Sequence, residues 1–118
     1  MANQINKLKS EVVNFVKERG WEQFHNPKDL AQALTIEAAE LSELFLWISH
    51  EESYDTVKQK REAVSDEMAD IFAYLLSLSN VTGIDLEQAL KNKMEKNRKK
   101  YPADKVKGFS KKYTEYQK

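Results

Sequence analysis

The chain has 118 residues, with 19 Lys and Arg against 19 Asp and Glu and a formal net charge of zero. That length suits one domain over residues 1–118, and the charge balance argues against nucleic-acid binding through overall charge. The absence of Cys excludes a disulfide framework or a cysteine zinc site; no run nears the ~20 apolar residues of a membrane span, and MANQINKLKSEVV lacks a signal-type apolar stretch, so a soluble cytoplasmic protein is expected.

Only three Gly and two Pro punctuate the chain. An all-β domain needs many more turn residues. Long helices are therefore expected, in an all-α, antiparallel bundle of about four helices completed by oligomerisation. A first helix is predicted from Asn3 to Arg19, because Ile5, Leu8, Val12, Phe15 and Val16 recur at helical spacing. Gly20 is its expected stop, and the connector WEQFHN follows. The second helix starts near Pro27 with Asn26 as its cap. Leu30, Leu34, Leu41, Leu44, Phe45 and Ile48 carry it to about Ile48. A polar loop, SHEESYD, leads to a third helix from Thr56 to Ser79, with Val57, Val64, Met68, Ile71, Leu75 and Leu78 as its stripe. Gly83 breaks it. Asp85 caps the fourth helix, with Gln88 in capping-box register, and Pro102 ends it near Lys100. The tail, ADKVKGFSKKYTEYQK, is expected to be irregular and to pack on a neighbouring subunit.

The neutral total hides a segregation of charge. Residues 31–70 carry net −7 and residues 71–118 carry net +6. Most such blocks are solvated helix faces, so what matters is whether any acid lies on a buried stripe. On the second helix Glu37 falls about 20° from the centre of the apolar stripe, and Glu40 lies about 80° off, beside Trp47. A carboxylate in mid-stripe must protonate or find a cation. The third helix repeats the pattern: Glu67 sits about 60° and Asp70 about 120° from the stripe centre, with Tyr74 on the same flank. E-x-x-E, 26 residues and E-x-x-D thus give four oxygen donors on two helices. That set suits a hard cation, Mg²⁺ or Mn²⁺. On the fourth helix Lys93 and Asn97 continue the stripe of Leu86, Ala89 and Leu90. Lys93 either meets a polyphosphate with its metal, or simply snorkels or pairs with one of the acids. Trp21, Phe24 and His25 cluster in the connector. Aromatics are usually core, but beside a metal and a phosphate handle they also make a slot for a nucleobase. His25 either hydrogen-bonds a base or caps a helix.

The segments TIEAAELSELFLW, DEMADIFAYLL and KMEKNRKKYP, preceded by WEQFHNPKDL, resemble the MazG-like all-α nucleoside triphosphate pyrophosphatases. Within them the sequence is most similar to the dCTP pyrophosphatase branch, from about Val13 to Tyr113. The resemblance implies Mg²⁺-dependent hydrolysis of a nucleoside triphosphate to monophosphate and pyrophosphate, by a homo-oligomer (tetramer or dimer) with sites built partly across subunits. It implies metal-binding and catalytic roles for Glu37, Glu40, Glu67 and Asp70. It also implies base-pocket roles for Trp21, Trp47 and Tyr74, and phosphate and sugar contacts for Lys93 and Asn97. Mammalian members of the branch have a base-pocket His where this chain has Val12. The expected substrate is dCTP or a modified dCTP, with water attacking the α-phosphorus and Glu40 orienting or deprotonating it. Three other readings stand beside this one: a MazG-like pyrophosphatase of other or broad specificity, a helical oligomer that senses nucleotide or metal without hydrolysis, and a structural helical dimer whose acids are solvated. Neither nucleic acid nor membrane is an expected partner.

Overall fold

A computed structural model of the chain describes residues 3–108, which contain helices and turns and no strand. The helices are α1 Gln4–Glu18, α2 Pro27–Glu43, α3 His50–Gln59, α4 Arg61–Thr82, α5 Leu86–Lys100 and the short α6 Ala103–Val106, with a 3-10 turn at Glu22–Phe24. The all-α expectation holds. Contacts divide the chain into two compact units, at Ile84 and Asp85.

In the first unit each helix start has a local cause. Asn3 Oδ1 accepts from the Asn6 amide at 2.8 Å. Asn26 Oδ1 accepts from the Asp29 amide at 3.0 Å, and Pro27 takes the first helical position, where no N–H is needed. The end of α1 is equally specific. Gly20, at φ 67°, donates to the Lys17 carbonyl and Trp21 donates to the Val16 carbonyl, both at 3.1 Å. This paired closure needs a left-handed residue, and Gly adopts it without a Cβ clash. It also folds Trp21 back onto α1, where its ring meets Phe15 edge-on at 5.8 Å.

Two boundaries differ from the sequence reading. The second helix ends at Glu43, not Ile48. The amides of Leu44, Phe45 and Leu46 bond three residues back, tightening the last turn. Trp47 then turns the chain at φ 64°. The segment read as the loop SHEESYD is instead the start of α3. Ser49 caps it: its Oγ accepts from the Glu52 amide and donates to Glu52 Oε1, both at 3.1 Å. That capping box, S-x-x-E, was legible but masked by the polarity of the segment. The predicted helix Thr56–Ser79 is likewise two helices, bent at Lys60. The amide bonds Lys60 to Thr56 and Val64 to Lys60 flank the bend, so the turn costs few hydrogen bonds.

The helix α4 is the centre of the first unit. It packs most extensively on α2, and also on α1 and α3. Val16, Leu30, Val64 and Leu76 form its buried apolar core, one residue each from α1 and α2 and two from α4. Gly83 ends α4 at φ 73°, and the buried Ser79 donates to the Ile84 carbonyl at 2.6 Å, holding the turn closed. Large apolar side chains remain exposed, among them Ile36, Met68 and Phe72.

In the second unit, Asp85 caps α5 through the Gln88 amide at 3.0 Å. Ion pairs Glu87–Lys91 at 3.1 Å and Glu95–Arg98 at 3.0 Å run along α5, which has no buried residue. Residues Ala103–Val106 of the tail are helical rather than irregular. The rest of the tail from residue 109, including Tyr113, lies outside the described residues.

Candidate active site

The contact of α2 with α4 brings the two acidic turns together. Carboxylate oxygens of Glu37, Glu67 and Asp70 lie within 4.8 Å of one another. Glu37 and Glu67 are half-buried, and in each the Oε2 atom is buried without a hydrogen-bond partner. Buried carboxylate oxygens are strongly disfavoured unless something positive or protic meets them. The same crowding appears in the titration of Glu37. Its pKa is pushed up to about 7, first by sharing a proton with Glu67, then by burial, then by the neighbouring charges of Glu40 and Asp70. Glu40, one helical turn along, is exposed at the rim. The donor set, all carboxylate oxygen and closely spaced, fits a hard divalent cation.

A cavity of about 300 Å³ opens beside the acids. Glu37 and Asp70 form one part of its wall, and Val12, Phe15, Trp21, His25 and Tyr74 contribute to the rest. The Tyr74 hydroxyl is held above its ordinary pKa by burial and then by Glu37, Asp70 and Glu40. So the aromatic wall and the acids share one electrostatic environment. A smaller cavity of about 250 Å³ lies against Trp21, His25 and Tyr74 from the side of Phe24, Asp29 and Ala33.

The structure therefore brings together Glu37, Glu67, Asp70, Trp21, His25 and Tyr74, with Glu40 at the edge. Trp47 is not among the residues lining this cavity: it sits on the turn after α2 and is 97% exposed. The sequence reading placed it on the flank of a continuing helix, and the early end of α2 is what moves it. Lys93 and Asn97 lie on α5 in the second unit, Lys93 exposed and Asn97 half-buried with its Nδ2 4.0 Å from Met94 Sδ. Sequence reasoning missed Ser77, buried in the cavity wall. Its signal was available: Glu67, Asp70, Tyr74 and Ser77 follow one another by three, four and three residues, a single helix stripe.

The chain matches the profile of the MazG-like family over residues 33–116. It is 42% identical over 113 residues to dCTP pyrophosphatase 1 of Bos taurus and 40% identical to that of Homo sapiens, in both cases over 94% of this chain and 65% of the relative. It thus spans just under two thirds of the length of these relatives. A pyrophosphatase of Archaeoglobus fulgidus, solved by crystallography, superposes with a TM-score of 0.83 at 39% identity, covering 86% of this chain and 95% of that one. The paired acidic turns on α2 and α4, the cavity beside them and these likenesses agree: the chain belongs to the MazG-like family.

Proposed function

We propose that this chain acts as a single MazG-like domain that hydrolyses a nucleoside triphosphate, dCTP or a modified dCTP, to the monophosphate and pyrophosphate. One observation carries the reading: Glu37 and Asp70 belong both to the acidic cluster and to the wall of the 300 Å³ cavity. A cation site and an aromatic-walled pocket that share residues suit a ligand that is anionic at one end and a flat ring at the other. The names of the bovine and human relatives support the same substrate class.

Glu37, Glu67 and Asp70, with Glu40, are the residues that would hold Mg²⁺, or Mn²⁺ in its place. Bound there, the ion supplies charge neutralisation on the triphosphate and a lowered pKa for the attacking water. Glu40, an exposed acid one turn from Glu37, accepts the proton as the water oxygen bonds to the α-phosphorus. The bond from that phosphorus to the bridging oxygen breaks, and pyrophosphate leaves. Trp21 and Tyr74 wall the base and sugar, and His25 offers the base a hydrogen bond. Lys93 and Asn97 enter from their sequence pattern alone, as phosphate and sugar contacts.

Exposed Ile36, Met68 and Phe72 favour a homo-oligomer, a dimer or tetramer. Trp47, 97% exposed on a left-handed turn, would reach the base pocket of a neighbouring subunit in that assembly. Action in the cytoplasm fits a chain without Cys; among the described residues no helix is long and apolar enough to cross a membrane.

The test is a pyrophosphate-release assay over all ribo- and deoxynucleoside triphosphates, with Mg²⁺, with Mn²⁺ and with chelator. Preferred turnover of dCTP that disappears in chelator is expected. No turnover of any nucleotide with either ion would overturn the reading. A second reading, preference for another base, is favoured by Val12. This residue lines the cavity where mammalian members of the branch carry His, and the same panel separates the two.

A further inference from the structure

Ser77 is 5% exposed, yet it belongs to the wall of two cavities, the one beside the acids and a second of about 210 Å³. Val16 and His25 are shared by the same two cavities. The hydroxyls of Thr35, Ser79 and Thr82 all donate to backbone carbonyls. The hydroxyl of Ser77, a residue of the cavity wall, is instead placed to bond a ligand atom held in the cavity. Its position along α4 says which atom. Ser77 lies seven residues beyond Asp70, about 10 Å along the helix axis, at the end of the cavity away from the acids.

We propose that Ser77 is a specificity-determining residue whose hydroxyl hydrogen-bonds the exocyclic group at C4 of a pyrimidine base, and so sets base preference. This rests on the nucleotide reading above. With the phosphates at the acids, the sugar follows, and the ring edge furthest from the glycosidic bond, which carries the C4 group, reaches the far end. A serine hydroxyl both donates and accepts, and the imidazole of His25, which lines the same cavity, offers one of each when neutral. The pair therefore favours a polar C4 group over none. Truncation of Ser77 should cost base discrimination rather than hydrolysis as such.

The experiment measures kcat/KM for dCTP and for its analogue lacking the 4-amino group, a 2-pyrimidinone deoxynucleoside triphosphate. The enzymes are the wild type, Ser77→Ala and the near-isosteric Ser77→Cys. Wild type should lose about tenfold or more when the amino group is removed, because a site built to bond a polar group rejects the analogue without it. In Ser77→Ala that penalty should shrink to within about twofold, the coupling expected of groups in contact. A structural defect would lower both substrates alike and leave the ratio unchanged. Alanine is a better helix former than serine, so α4 should survive, as helical circular dichroism would show; if Ser77→Ala does not fold, Ser77→Cys closes the same cycle. An equal penalty in wild type and variant, or no penalty in wild type, overturns the assignment. Wild type that hydrolyses no nucleotide overturns the functional reading itself, a different result.

Discussion

Glu37 is the residue at which burial, charge and function meet. Its pKa is raised from 4.5 to about 7, chiefly by Glu67. A raised carboxyl stabilises the fold fully below its unfolded value, and that contribution is lost as pH climbs through the folded value. Without divalent cation, thermal stability should therefore decline between about pH 4.5 and pH 7. Excess Mg²⁺ should oppose the decline, since a ligand that binds only the folded state stabilises it, and Glu37→Gln should flatten it. Thermal melts across pH, with Mg²⁺ and with chelator, check this. Glu40 predicts a different outcome. As an exposed acid, it can be changed without opening the core. Glu40→Gln should lower pyrophosphate release by roughly 10²–10⁴-fold, the range for a lost general base, with the helical circular dichroism intact. Retained turnover would remove Glu40 from the mechanism. At this scale the four acids were legible in the sequence, because a carboxylate in an apolar stripe contradicts its surroundings. Ser77 was not read, because a serine on a helix face contradicts nothing until a cavity is seen beside it.

Among the elements, α4 carries both the core and the site. Leu76, 2% exposed, lies between Tyr74 and Ser77 in sequence but buries into the core. Leu76→Ala should cost about 3 kcal/mol in chemical denaturation, the transfer and cavity terms of a buried leucine. The end of the helix depends on smaller terms. Ser79→Ala removes the 2.6 Å bond to the Ile84 carbonyl and should cost about 1 kcal/mol, measured in the same way. Helix starts were readable where a cap and Pro coincide, as at Asn26 and Pro27. The end of α2 at Glu43 and the bend at Lys60 were not. Apolar periodicity continues through Leu44, Phe45 and Ile48 although the backbone has already tightened into a turn. No Gly or Pro marks either place, and Trp47 itself adopts the left-handed conformation.

Among the described residues few apolar side chains are buried and many large ones are exposed. Four apolar side chains are buried among the described residues, while Ile36, Met68, Phe72 and Trp47 are exposed. A chain of this length gains much by burying such surface against copies of itself. Light scattering should therefore give a mass that is a multiple of 13.7 kDa. A double change, Ile36→Lys with Met68→Lys, should shift it toward one chain by placing charge where apolar surface packs; a monomeric wild type would end the oligomer reading.

The sequence by itself determined the helical class, the caps at Asn26 and Asp85, and the two acidic turns that had to find each other or a cation. Those are local matters, set by propensity, by hydrogen bonds three residues apart and by the 3.6-residue period. Only the tertiary structure decided that Glu37, Glu67 and Asp70 converge within 4.8 Å, that a cavity opens beside them, that Trp47 faces outward, and that Ser77 joins the cavity wall. The reason is that convergence depends on how α2 packs against α4. That packing is a sum over many weak contacts, and no single spacing in the chain records it.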